Sequence, residues 1–285
     1  MLGKSVVLTA MVCAMTLFAG IMAFAQVTEP PYVFLLRSRD GVVTPERTKH
    51  GETGGGFIQV TQITPNVVMF LMRGAAAAGV EHAGSAGMQF KLEQDLEIMS
   101  TRAGLRPPRL VAAAWLIGSL DSTLRNGGTA EQAPACATFR SVALTEPIVS
   151  MCIKPHSVGS GENLLVNERV GPLEAVVAPG AYHLSQTFAI NVNQEKACYL
   201  TGSVAANFDP EPRLEGKWND VLKPFRAVPK RDFGYRVILR VVEDVPPVEA
   251  PPPQTETLPP PQPVPQASEK VPEPPTVLKG ENSPR

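Results

Sequence analysis

Ala181–Asn193 reads AYHLSQTFAINVN. Tyr182, Leu184, Phe188, Ile190 and Val192 fall on one side of a two-residue alternation; His183, Ser185, Thr187, Asn191 and Asn193 fall on the other. A strand turns successive side chains to opposite faces, so this stretch predicts a half-buried antiparallel strand. Met88–Ile98 follows the same rule, with Met88, Phe90, Leu92, Leu96 and Ile98 inward and Gln89, Lys91, Glu93, Asp95 and Glu97 outward. Tyr235–Val241 repeats it with Val237 and Leu239 inward and Arg236 and Arg240 outward.

Further strands are expected at Tyr32–Arg37, Phe57–Thr64, Asn66–Arg73, Leu110–Gly118, Leu164–Arg169, Leu173–Val177 and Tyr199–Phe208. Thr138–Leu144 and Ile148–Ile153 flank the turn Thr145-Glu146-Pro147 as a hairpin. Turns are expected at Arg39-Asp40-Gly41, Gly54-Gly55-Gly56, Asn126-Gly127-Gly128, Gly159-Ser160-Gly161 and Pro179-Gly180. Helix is scarce: Glu215–Leu222 has room for two turns, and the alanine-rich Gly74–Gly79 is too short to stand alone. Many strands between Gly/Pro turns predict an all-β fold, an antiparallel β-sandwich-like domain.

The two strongest strands also resemble each other. Phe90, Leu92, Gln94, Leu96 and Ile98 align with Tyr182, Leu184, Gln186, Phe188 and Ile190, and each stretch is followed by a small-residue strand ending in aspartate, at Asp121 and Asp209. The domain therefore carries a candidate internal repeat, 88–121 against 180–209, which would make it two related halves. Gln94 and Gln186 interrupt the apolar face at the same place in both. An unbonded buried carboxamide costs about 1–3 kcal/mol, so each is expected to serve structure by bonding at a bulge or across a pseudo-twofold axis, with a ligand as the alternative partner.

The ends of the chain differ from this middle. Lys4, the apolar run Val6–Met22 and the small-x-small Ala23-Phe24-Ala25 read as a secretory signal over residues 1–25, cleaved before Gln26. A retained membrane anchor is the rival reading. The folded domain is expected over 26–244. Fourteen of the 29 prolines fall within 245–285, which lacks aromatic residues, so a disordered, proline-rich, polyproline-II tail is expected there.

Export bears on the cysteines. Cys136, Cys152 and Cys198 remain after the signal, an odd number, so one disulfide and one free thiol are expected in an oxidising compartment. Cys136 and Cys152 flank the hairpin and are the favoured pair. The absence of CxxC spacing and the scatter of His50, His82, His156 and His183 speak against zinc.

No catalytic constellation stands out. Gly84-Ser85-Ala86-Gly87 lacks the strand–turn–helix setting of a nucleophile elbow. Gly51 to Gly56 lacks the Lys-Ser/Thr of a phosphate-binding loop. Glu93, Asp95 and Glu97 share one strand face and read as solvated. Asp209-Pro210-Glu211-Pro212 lacks the spacing of a calcium loop. No cofactor or metal is expected.

One segment is compositionally distinct. Arg213 to Arg240 holds eight basic residues against Glu215, Asp220 and Asp232, with Trp218, Phe225, Phe233 and Tyr235 interleaved. Lys217, Trp218, Lys223, Arg226, Lys230 and Arg231 form a candidate surface for an anionic partner. A net charge of −1 over 285 residues argues against nucleic acid as that partner.

The expectation is a non-enzymatic protein of the envelope or extracellular space, secreted or periplasmic. Its binding or structural role would be toward an envelope polymer or a protein, through the basic segment or the tail. Two alternatives are an envelope glycan hydrolase using carboxylates such as Asp209 or Glu211 against Glu174 or Asp121, and an outer-membrane β-barrel.

Overall fold

A computed structural model describes residues 29–78, 82–122, 127–195, 204–209 and 232–244. The chain divides into Met1–Val245 and Pro246–Arg285. The expected signal, the expected tail, Cys198 and the expected helix at Glu215–Leu222 lie outside the described residues.

Among the described residues the protein is antiparallel β throughout, in two sheets that form a β-sandwich. The strands are β1 (Tyr32–Arg47), β2 (Gly51–Thr64), β3 (Val67–Ala78), β4 (Gly84–Ser100), β5 (Pro108–Ser122), β6 (Gly128–Gln132), β7 (Ala135–Ser141), β8 (Val149–Ile153), β9 (His156–Val158), β10 (Asn163–Val176), β11 (Gly180–Gln194), β12 (Val204–Asn207) and β13 (Gly234–Glu243).

Several short strands share one lane end to end. β6 and β7 both pair with β11, and β9 and β8 pair with β6 and β7 in turn. β12 and β13 both lie between β3 and β5. The first sheet is thus five lanes wide, β1, β4, β11, β6 with β7, then β9 with β8. The second is β10, β5, β12 with β13, β3, then β2. Without the edge strands β1 and β2, the pairings are those of an eight-stranded jelly roll, a ribbon folded on itself and rolled into two facing sheets.

The two look-alike stretches are ribbon partners in this roll. β4 and β11 pair directly, with Phe90 opposite Phe188 and Glu93 opposite Ser185. The small-residue strands β5 and β12 pair as well, with Ser119 opposite Asn207.

Alternation holds along both long strands, and the inward apolar faces of the two sheets meet in one core. That packing answers the barrel alternative: the apolar faces turn to each other. Phe188 is central, stacked on Phe90 at 5.4 Å and edge-on to Phe208 at 5.2 Å. Phe139 stacks on Tyr182 at 4.9 Å.

Some expected turns are strand instead. Arg39-Asp40-Gly41 lies inside β1 just past a bulge, where the register with β4 shifts between Leu36 and Arg39. Gly54-Gly55-Gly56 lies inside β2, where the register shifts between Thr53 and Gly56 and Gly55 takes φ 79°. A bulge absorbs an extra residue without ending the strand. The alanines after Gly74 continue β3, buried between β2 and β12. The strands expected at Leu164–Arg169 and Leu173–Val177 are one strand, β10, shifted in register across Gly171-Pro172.

Candidate functional site

Cys136 and Cys152, the expected pair, oppose each other directly across β7 and β8 and are joined, with their Cα atoms 4.2 Å apart. A disulfide is compatible with an oxidising, extracytoplasmic setting.

Gln94 and Gln186 are both fully buried. The Gln94 amide donates to the carbonyls of Ser38 at 2.8 Å and Asp95 at 2.7 Å, and Ser38 is one of the two β1 residues, with Arg37, that face Asp95 at the bulge. The side-chain oxygen and nitrogen of Gln186 have no hydrogen-bond partner.

Of the basic segment, the described part is Asp232–Arg240; Lys217, Trp218, Lys223, Arg226, Lys230 and Arg231 lie outside the described residues. The described part contributes to a basic, aromatic patch on the outer face of the second sheet. Arg169 of β10, Trp115 of β5 and Arg236 of β13 stand in one row across three lanes. The Arg169 guanidinium lies 5.1 Å from the indole centroid and that of Arg236 5.3 Å. Asp232 holds Arg236 at 3.3 Å. In the next two lanes, Arg73 of β3 lies over Phe57 of β2 at 5.8 Å, its Nε donating to the Phe233 carbonyl at 2.9 Å. Arg240 is exposed further along β13. The outward parity of Arg236 was read from the sequence; that Trp115 and Arg169 stand beside it was not, because β13, β5 and β10 meet by register alone.

The outer face of the first sheet holds a charged cluster. Glu93, Asp95 and Glu97, expected to be solvated, are tied into partners. His183, on β11, lies between two of them, with Nδ1 2.7 Å from Asp95 Oδ1 and Nε2 2.6 Å from Glu93 Oε2. In its doubly protonated form the ring donates to both. Ser185 donates to Glu93 at 3.1 Å, Ser38 donates to Asp95, Lys91 pairs with Glu93 at 3.2 Å and Arg37 with Glu97 at 2.6 Å. Burial alone would raise the Glu93 carboxyl, but the bonds from His183, Lys91 and Ser185 outweigh it and hold it below the ordinary range. Asp95 is likewise lowered, chiefly by the bonds from His183 and Ser38. Both serines donate to carboxylates and both imidazole nitrogens face carboxylates, so the cluster lacks the serine–histidine contact of a nucleophile pair.

The hydrolase alternative needs two carboxylates facing each other. Of the expected pairs, Asp209 is buried two residues past the Asn207–Ser119 row of β12 and β5, with Asp121 two residues from Ser119 on one side and Glu174, in the row of Val111, eight residues away on the other. Glu174 is paired with Arg109 at 2.8 Å. Burial raises the Asp121 carboxyl. Glu211 lies outside the described residues.

A third feature is a cleft of about 270 Å³ at the β6–β9 edge of the first sheet, lined by Glu131, Gln132, Ala133, Pro155, His156, Ser157 and Asn191. Sequence reasoning missed it, since none of these residues forms a recognisable motif.

No family model matches the chain, and no curated protein matches it. Among solved structures it is similar to the enzymatically active domain of bacteriophage CBA120 tailspike protein 4. The identity is 15% over 59% of this chain and 18% of that one, with a TM-score of 0.18. A second similar structure is a carbohydrate-binding module of the β-sandwich superfamily, with 9% identity over 58% of this chain and 54% of that one, and a TM-score of 0.16. The chain spans under a fifth of the first structure and about half of the second. Likenesses at these TM-scores say nothing about activity.

Proposed function

We propose that this protein is an exported, non-enzymatic binding domain of the cell envelope or extracellular space that holds an acidic polymer on the outer face of its second sheet. The observation that carries this reading is the Arg169–Trp115–Arg236 stack. A flat strand surface offers a long extended ligand many equivalent rungs. Guanidinium groups meet carboxylate or sulfate in bidentate fashion, and their contact with the indole orients them before a ligand arrives. Arg73 and Arg240 extend the positive row to either side. In the sequence, six further basic residues between Arg213 and Arg231 precede β13.

The test is sedimentation or calorimetry of the mature chain with polygalacturonate, heparin and neutral dextran. Expected are binding of the acidic polymers that weakens steeply with added salt and no binding of dextran. Arg169→Gln should weaken binding several-fold without altering thermal stability, because Arg169 is exposed and its one described contact is with the ring. Equal binding of dextran, or an affinity indifferent to both salt and Arg169→Gln, overturns the reading.

A further inference from the structure

The cationic and aromatic groups on the outer face of the second sheet are spread one to a lane. Arg169 stands on β10, Trp115 on β5, Arg236 on β13, Arg73 on β3 and Phe57 on β2. The first three share one row, and Arg73 and Phe57 oppose each other one outward step along the strands. A glycine fits the two rows together. Gly234 of β13 lies beside Arg73, where a Cβ would come within 2.7 Å of the Arg73 Cγ, and its φ of 101° is in the region that favours glycine. The stem of Arg73 thus has room to lie against the β13 lane, two residues from Arg236.

None of the five side chains is shut away from solvent: Arg169 and Phe57 are exposed, and Trp115, Arg236 and Arg73 are half-buried. Positive charge is arranged across the strands more than along them. One outward step to either side of the Trp115 row, β5 carries Ala113 and Ile117, β13 carries Gly234 and Ile238, and β10 carries Asn167, all uncharged. A polymer laid along β13 would meet two arginines, Arg236 and Arg240. A polymer laid across the lanes meets three arginines and two aromatic rings, and the line stays net positive even with Asp232 beside Arg236. From Arg169 to Phe57 it crosses four lane spacings, about 19 Å, or the length of about four sugar rings.

We infer that the acidic polymer crosses the strands from the β10 edge to the β2 edge, held over an internal stretch of about four sugar units, with Arg169, Arg236 and Arg73 on its anionic groups and Phe57 under its far ring. This rests on the acidic-polymer reading and adds to it a direction, a length and a far subsite. The line runs from one edge of the sheet to the other, so the site takes the interior of a chain and has no need of a chain end. Each arginine offers a carboxylate two parallel N–H donors, so each paired anion adds its own charge-assisted contact. The exposed Phe57 ring offers an apolar surface to the C–H side of a sugar.

The experiment is calorimetric titration of the mature chain and its variants with galacturonate oligomers of two, four and six units at low salt. Affinity is expected to rise at least about tenfold from the dimer to the tetramer, as an added charge-assisted hydrogen bond provides, and less than about threefold from the tetramer to the hexamer. Phe57→Ala and Arg73→Gln should each weaken the tetramer about fivefold or more and leave the dimer within about twofold. Arg240→Gln, on β13 but off the line, should change neither by more than about twofold. Phe57 is an exposed side chain on an edge strand, so Phe57→Ala and the length series decide the matter even where Arg73→Gln unfolds. If neither polygalacturonate nor any oligomer binds the parent, the acidic-polymer reading falls and this inference with it. If polygalacturonate binds with its expected dependence on salt and Arg169, the inference alone is overturned by a tetramer no tighter than the dimer, by an equally steep rise from tetramer to hexamer, by full tetramer affinity in Phe57→Ala, or by a larger loss in Arg240→Gln than in Phe57→Ala.

Discussion

Gln94 and Gln186 sit at matching places in two matching strands and lead different lives. Gln94 carries two hydrogen bonds that close the β1 bulge, whereas Gln186 is buried with none. Opposite outcomes follow for one substitution: Gln94→Leu lowers unfolding free energy by about 1–3 kcal/mol, while Gln186→Leu leaves it unchanged or raises it by about 1 kcal/mol. Urea denaturation of the two variants measures both. Burial of the glutamines was legible from alternation; their partners were not, since Ser38 reaches Gln94 only through a bulge that no residue pattern announces. His183 is a similar case: its outward parity was plain, but its carboxylate neighbours depend on the β4–β11 register. Because Glu93 and Asp95 titrate lower when folded, they favour the folded state above the ordinary carboxylate range of about 3.9–4.3. That contribution is lost as pH falls through their lowered values. His183→Ala should therefore lose less stability than the parent between pH 6 and pH 3 in a thermal melt. The difference should be small, below about 1 kcal/mol, since the cluster is partly wet.

Strand existence was far more legible than strand extent. The period-two signal marks where side chains alternate, but it fades at glycines, and the Gly54-Gly55-Gly56 run that looked like a turn is a bulge within β2. Lane sharing was not legible at all, because two short strands in one lane and two neighbouring strands have the same local pattern. One lane explains a glycine. Gly118 of β5 lies between the rows of Asn207 and Gly234, and a Cβ there would come within 2.2 Å of the Phe208 ring. Phe208 is fully buried against Phe188, so it has nowhere to retreat. Gly118→Ala should lower stability by about 1–3 kcal/mol through overpacking, and the double variant Gly118→Ala/Phe208→Leu should recover part of the loss; guanidinium unfolding of the single and double variants decides it.

At the scale of the whole molecule, the sandwich was predicted and its rolled connectivity was not, since pairings between distant strands leave no trace in local periodicity. The Cys136–Cys152 bond closes only the β7–β8 hairpin, 16 residues apart in sequence. Chain entropy for a loop of that size gives about 3 kcal/mol, so Cys136→Ala/Cys152→Ala should unfold at lower denaturant than the oxidised parent and be indifferent to reductant. The larger lesson lies in the β12–β13 lane. Asn207 and Gly234 face β5 only two rungs apart, though 26 residues separate them in the chain. The β12 and β13 rungs on β5 are therefore each set by local register, so residues far apart in the chain come to share one line of hydrogen bonds.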